Sequence, residues 1–399
     1  MSSADARAQD LSVLVQQALA RRDLAAAARA IAAAEAQAPR DLSVKLQKAM
    51  VRRAGGDLAG ALAALDEALE IDPYDFMALL SKGAVVERLS GERAAAPIYR
   101  DALKIAPPPD RLPPQLRVPA ERAEAVVARA SDELEAFLRE RTAALGAESA
   151  GEGRRRFDEA VRIFSGKTRA YNQEPLLLHY PRLPAIPFYD RALFPWLGEL
   201  EAATEVIRGE LEGVLAAASD DFAPYIAYEK GAPVNQWAEL NHSRRWSSYF
   251  LWKDGARQEA ACARCPRTSE LIAALPMAEQ PGFAPTAMFS ALEARTRIPP
   301  HTGSTNVRLL VHLPLILPGP AAFRVGNETR PWRIGEAWVF DDTIEHEAWN
   351  DADQLRVILI FDIWNPFLDE GERAMVSALL RARSDFFAGR PAGDAGAIA

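Results

Sequence analysis

The first hundred residues carry small and apolar side chains at helical spacing, and the pattern returns every 34 positions. Pro39, Pro73 and Pro107 keep that interval, as do Ala27, Ala61 and Ala95, and Ala34, Ala68 and Ala102. Asp23 matches Asp57, and Asp41 matches Asp75. A fixed period of this length is the signature of stacked helix hairpins, each too small to bury its apolar face alone. Alanine at the recurring positions lets paired helices approach closely, and proline ends one hairpin before the next begins. A generic Ala-rich bundle would not keep three such ladders in phase. The stretch PPPDRLPP at 107–114 breaks the pattern. Charged, Ala-rich text from about 115 to 165 then predicts connector helices, with a loop at GAESAGEGRRR.

The text changes near residue 175. LLLHYPRLPAIPFYDRALFPW is rich in proline and aromatics, and a helix is predicted over about 196–218. From about 245 the apolar segments become short: RWSSYFLW, AMFSALEA, NVRLLVHLPLIL, AFRVG, EAWVFDD, HEAWN and RVILIFDIW. They are β-branched or aromatic and punctuated by Gly, Pro and Asp, which predicts strands. So many short strands predict a sandwich or barrel, and a double-stranded jelly-roll fits the spacing. The expected fold is α+β and multidomain: a helical repeat domain over 1–110, a helical connector over 111–175, and an all-β jelly-roll with flanking helices over 176–399. The middle repeat copy, GDLAGALAALDEALEIDPYD, resembles the second half of a tetratricopeptide repeat, with about two and a half to three copies in all.

Composition narrows the function. The chain has 399 residues, 49% hydrophobic, which suffices for packed interiors. Its net charge of −8 argues against a nucleic-acid partner, which needs a dense basic face. The opening MSSADARAQDLSVLVQQALARR lacks the apolar core of a signal peptide, and no run reaches the length of a membrane span. With only Cys262 and Cys265, a disulfide-stapled secreted fold is not expected, and a cytoplasmic setting is.

Three of the five histidines, His301, His312 and His346, fall within the strand-rich region. With period two, Arg308, Leu310 and His312 share one strand face, and so do Arg356, Ile358 and Ile360. An arginine and a histidine facing an apolar lining need a partner, and an anionic ligand would be one. His301, in PPHTG, and His346, after EAWVFDD, sit where a rigid β scaffold displays metal ligands. Neutral imidazole suits iron, zinc, copper or nickel, spacing does not choose among them, and satisfied structural histidines are the alternative reading.

The ordered pieces HTGSTN, RVGNET, WRIGE, VFDDTIEHEAWN and RVILIFDIWNP closely resemble the catalytic core of the aspartyl/asparaginyl β-hydroxylase family. The resemblance covers roughly residues 185–368, and a tetratricopeptide-like region before the core also occurs in that family. It implies a dioxygenase using Fe(II), 2-oxoglutarate and O2 to hydroxylate the β-carbon of Asp or Asn in a peptide or protein. It implies that His301 and His346 are the metal ligands and catalytic centre, with Gly303 where related folds carry a carboxylate. Arg356 then matches the arginine that grips the distal carboxylate of 2-oxoglutarate, Ser290 the hydroxyl that assists it, and His312 the contact to its metal-side carboxylate. Trp246 matches a pocket aromatic, and Arg308 is the group expected to hold an acidic substrate. Leu310 falls where the mammalian-type enzyme carries a second arginine, so a neutral or partly apolar substrate side chain is the competing expectation.

Other residues receive structural readings: Asp341 and Asp342 in the turn before His346, Cys262 and Cys265 as incidental thiols, His179 and His242 as unpaired histidines, and Asn306 and Asn327 as turn residues. The repeats are expected to recruit the peptide or protein substrate. A free amino acid or a lipid acyl chain is the alternative substrate. A non-catalytic repeat-plus-barrel binding module is the alternative function.

Overall fold

The computed structural model describes residues 13–146, 151–280 and 282–387, and the chain divides into two compact units, 1–169 and 170–399. The part of the opening stretch before residue 13 lies outside the described residues.

In the first unit, helices α1 (13–20), α2 (Leu24–Gln37), α3 (Leu42–Ala54), α4 (Leu58–Ile71), α5 (Phe76–Ser90) and α6 (Glu92–Lys104) stack as hairpins. The sequence ladders acquire physical jobs. Asp23 and Asp57 cap α2 and α4 by accepting from the amides of Ala26 and Gly60, at 2.9 and 2.8 Å. Asp41 and Asp75 cap α3 and α5 through Val44 and Ala78, at 3.2 and 2.6 Å. Each carboxylate satisfies an amide that the first helical turn leaves unpaired. Ala27, Ala61 and Ala95 are fully buried, as are Ala68 and Ala102, so a larger side chain at any of them would force the helices apart. Lys45 on α3 bridges Glu35 on α2 and Glu67 on α4, 2.5 Å to each, tying neighbouring hairpins together.

Helix α7 (Pro114–Gly146) starts on a proline, where a missing amide costs nothing. Helix α8 (Gly151–Phe164) follows. The loop expected at GAESAGEGRRR is therefore shorter than the sequence suggested. Residues 151–156 are the first turns of α8, and 147–150 lie outside the described residues.

The second unit is built on two antiparallel sheets. Its strands are β1 (Ala223–Pro224), β2 (Trp246–Lys253), β3 (Ala256–Arg257), β4 (Ala287–Leu292), β5 (Thr296–His301), β6 (Arg308–Ile316), β7 (Ala321–Val325), β8 (Glu328–Pro331), β9 (Trp338–Phe340), β10 (His346–Asn350) and β11 (Arg356–Trp364). The large sheet runs β1-β2-β4-β11-β6-β9, with β3 beside β2, and the small sheet runs β5-β10-β7-β8. Strand β11, between β4 and β6, is buried on both faces, hence its unbroken apolar run VILIF after Arg356. Val357, Leu359, Phe361 and Ile363 pack outward with Leu309, Val311 and Leu313, in a core shared with α9 (Leu197–Ala202), α10 (Thr204–Ala218), α11 (Glu259–Arg264) and α12 (Pro266–Ala273). Ile358 and Ile360 face the other way, into an aromatic core with Phe323, Phe340, Trp246 and Trp338 between the sheets. Helix α13 (Glu370–Phe387) follows β11.

Several elements escaped the hydrophobic pattern. Strand β5, TRIPPH, holds two prolines, which an edge position tolerates because one side needs no amide. Helices α11 and α12 are too short for periodicity to register. Among the described residues no helix is long and apolar enough to cross a membrane.

Candidate active site

The interior faces of the sheets enclose a cavity of about 700 Å³ lined by all seven residues singled out from the sequence: Trp246, Ser290, His301, Arg308, His312, His346 and Arg356. Strand alternation explains the gathering. Arg308, Leu310 and His312 descend β6, and Arg356, Ile358 and Ile360 descend β11 beside them. On the other flank Ser290 of β4 pairs with Ile358.

His301 ends β5 and His346 opens β10, and the two are paired directly across the strands. Their ring centroids lie 4.0 Å apart. A bulge follows at once, because pairing shifts between His346 and Ala348 where β5 carries its prolines. Each ring is held in the same way. Nδ1 of His301 bonds to the carbonyl of Pro299 at 2.8 Å, and Nδ1 of His346 to that of Ile344 at 3.0 Å. A carbonyl only accepts, so both Nδ1 atoms carry the proton and both Nε2 lone pairs are left for another ligand. Burial pushes His301 down to about 4 and His346 well below its ordinary value, so both rings are neutral at physiological pH. Neutral imidazole oriented through a carbonyl is the form that coordinates a transition metal.

Arg356 is 1% exposed, and its Nε and Nη1 have no hydrogen-bond partner. Burial without a compensating carboxylate pushes the guanidinium down to about 9. Its Cζ lies 5.4 Å from the Trp332 ring centroid, and His312 stacks on the same indole at 5.4 Å. The Nδ1 of His312 is also buried without a partner. Trp246 donates from its indole nitrogen to Ser290 Oγ at 3.1 Å, so the serine hydroxyl proton is free to point at a ligand. A buried cation, a free hydroxyl and an unpaired imidazole nitrogen in one wall suit a small dicarboxylate. The donor set therefore fits both a metal held by two histidines and a chelating acid beside it.

Gly303 lies in the turn after His301, and a methyl group there would collide with the carboxylate of Asp342. The backbone is equally tight, with the Gly303 amide donating to the Asp342 carbonyl at 2.6 Å. Asp342 lines the cavity, and burial pushes it up to about 8. The structural reading of the Asp pair thus holds for Asp341, whose carboxylate binds Thr343 and Gln173, while Asp342 belongs to the site wall. Gly303→Ala is expected to destabilise by about 1–3 kcal/mol through overpacking. A thermal melt should show the loss, and Asp342→Ala in the same chain should recover part of it. An unchanged melting temperature in Gly303→Ala would refute the clash.

Arg308 lines the cavity with a partner that the sequence reading did not assign: Asp362 Oδ2, 3.0 Å from Nη1. An acidic residue two positions beyond Ile360 on an interior strand face was the available signal. Trp332 and Gln280, which also line the cavity, left no such signal. Cys262 and Cys265 are buried in the outer core as free thiols, and Cys262 bonds the Leu251 carbonyl at 3.3 Å. His179 is exposed, and the exposed His242 bonds the Tyr228 carbonyl at 2.7 Å. Asn306 ties down Tyr180 and Gln173, and Asn327 lies in the turn between β7 and β8.

Residues 201–366 match the family described as Aspartyl/Asparaginyl beta-hydroxylase. The "Ornithine lipid ester-linked acyl 2-hydroxylase" of Rhizobium tropici is 37% identical over 198 residues, 48% of this chain and 66% of that protein. The human "Aspartyl/asparaginyl beta-hydroxylase" is 34% identical over 188 residues, 46% of this chain and 24% of that protein. The match thus spans at most 66% of either relative's length. Among solved structures, the TPR2B domain of yeast Sti1 covers 32% of this chain and 97% of its own, at 17% identity and a TM-score of 0.27.

Proposed function

This chain belongs, through residues 201–366, to the aspartyl/asparaginyl β-hydroxylase family, and we propose that it is an Fe(II)- and 2-oxoglutarate-dependent dioxygenase acting on the β-carbon of Asp or Asn in a peptide or protein. The observation that carries this reading is the meeting, in one cavity, of two neutral imidazoles with free Nε2 atoms and a buried guanidinium without a carboxylate.

In this reading His301 and His346 hold the metal. Arg356, helped by Ser290, grips the distal carboxylate of the cosubstrate, and His312 contacts its metal-side carboxylate. Trp246 shapes the substrate side, and Arg308 stands at its far end. Fe(II), when bound, supplies with 2-oxoglutarate and O2 the oxidising power to convert C–H into C–OH, leaving succinate and CO2. The walls formed by Met288, Phe323, Ile358 and Ile360 exclude water, so the few polar contacts act at low dielectric. The repeat unit is assigned to recruiting the substrate, as stacked helix hairpins commonly present grooves to peptides. Two buried free thiols suit a reducing, cytoplasmic setting.

One observation favours a second reading, in which the C–H bond belongs to a lipid acyl chain. The relative named for acyl hydroxylation is 37% identical, against 34% for the one named for Asp and Asn.

The test is an anaerobic titration of Fe(II) into the protein with 2-oxoglutarate, read by the weak visible charge-transfer band, followed by succinate formation in air. The band should saturate with a single metal per chain. Its absence, with no succinate, would leave a non-catalytic binding module and overturn the oxygenase reading.

A further inference from the structure

Two guanidiniums line this cavity, and they are not equivalent. Arg356 has no carboxylate against it. Arg308 has Asp362 Oδ2 at 3.0 Å and the Phe283 carbonyl at 3.3 Å, and Asp342 and Asp254 line the same cavity. Arg356 and Asp362 lie at opposite ends of the interior face of β11, roughly 20 Å apart at strand rise. Among the described residues of the lining, Arg356 is therefore the buried cation without a carboxylate, and the remaining cation, Lys253, is exposed with its Nζ over the Phe250 ring. At the other end Leu310 adds no charge, and Arg308 is already neutralised.

That second end has a different unmet need. Gln280 is 1% exposed and lines the cavity, and neither its Nε2 nor its Oε1 has a hydrogen-bond partner. Its backbone is fixed: the amide donates to the Ala284 carbonyl at 2.8 Å, and the carbonyl accepts from Phe283 at 2.9 Å and Ala284 at 2.8 Å. The same turn supplies the Phe283 carbonyl to Arg308. A rigid turn thus holds one buried donor and one buried acceptor in the cavity wall, and leaving both unmade is costly. A group that satisfies both at once carries a donor and an acceptor, as another carboxamide does. A carboxylate would accept from Nε2 but set oxygen against Oε1, with Asp362 close to the same turn.

Resting on the oxygenase reading above, we infer that the substrate end of the cavity takes an uncharged carboxamide side chain of a peptide, with Gln280 as the residue that selects it over the isosteric carboxylate. Gln280 here sets specificity and takes no part in the oxidation.

The test uses the full chain, anaerobic with Fe(II) and 2-oxoglutarate, and two peptides identical except for a central Asn or Asp. Binding is read by quenching of the tryptophans that line the cavity. The Asn peptide should bind more than about tenfold tighter, since a site built for a hydrogen-bonding group strongly rejects its mismatch. Gln280→Leu should bring the two affinities within about threefold, chiefly by weakening the Asn peptide. Leu310→Arg, which adds a cation without a counter-ion, should move the preference towards Asp. Equal or tighter binding of Asp by the parent overturns the inference, and so does a preference unchanged in Gln280→Leu. An N-acyl amide amphiphile that binds where neither peptide does overturns the peptide occupant. The charge-transfer band separates the two levels. If it forms while neither peptide binds, the carboxamide inference falls alone, and if it does not form, the oxygenase reading falls.

Discussion

His301→Ala is expected to abolish metal binding in the presence of 2-oxoglutarate, and with it the formation of succinate. The ring lies 4.0 Å from that of His346, and its Nδ1 is already committed to the Pro299 carbonyl, so only Nε2 is left to coordinate. Under the proposed assignment, removing it halves the protein's share of a two-histidine site. The loss should exceed the roughly 10–100-fold that follows when only an outer-shell partner of a metal ligand is removed. The fold should survive, because His301 ends an edge strand beside Trp237 and Trp246, and alanine there breaks no ladder bond. Circular dichroism checks the fold, the charge-transfer band the metal, and succinate the turnover. His346→Ala should weaken the metal as well. Under the proposed function the cosubstrate holds part of the metal, so a remainder of turnover in that variant leaves the assignment standing. Full turnover in either variant overturns it.

Arg356→Met should act in two opposite directions, and the opposition is the diagnosis. Under the proposed function, losing the buried cation would leave the distal carboxylate of 2-oxoglutarate unpaired among apolar side chains, at a cost of about 2–5 kcal/mol, so affinity should fall by more than tenfold. The ligand-free protein should become more stable, by about 1–3 kcal/mol. A desolvated, unpaired guanidinium is replaced by an apolar side chain of similar length. Two thermal melts decide the matter. Without cosubstrate the variant should melt above the parent. Saturating 2-oxoglutarate should raise the parent and leave the variant nearly unmoved, since a ligand stabilises only the state that binds it. Ser290→Ala should weaken cosubstrate binding more mildly. If Arg356→Met keeps its affinity for 2-oxoglutarate, the clamp lies elsewhere.

Local chemistry made much of the molecule legible. The period of 34 needed only counting, and its aspartates and alanines proved to be caps and helix contacts. Alternation along NVRLLVHLPLIL and RVILIFDIW sorted Arg308, His312 and Arg356 onto the cavity face before any strand was paired. What the text hid was pairing at a distance. Strand β5 was obscured by its prolines, because nothing local says that a segment is an edge. Asp362 looked like an interruption of an apolar strand until β6 brought Arg308 beside it. Gln280 sits in a loop whose composition carries no message, and only burial without a partner marks it.

The central position of β11 also sets the order in which a growing chain becomes competent. Its neighbours β4 and β6 leave the ribosome first, with β5 and β10, yet they cannot take their places until the strand between them arrives. Arg356 and the floor of the cavity come with that last strand. Every earlier intermediate has an open sheet with unpaired inner edges, the kind of surface on which chains associate wrongly. Synthesis past β11 therefore completes the sheet and delivers Arg356, and a chain truncated before residue 356 should be aggregation-prone rather than partly active.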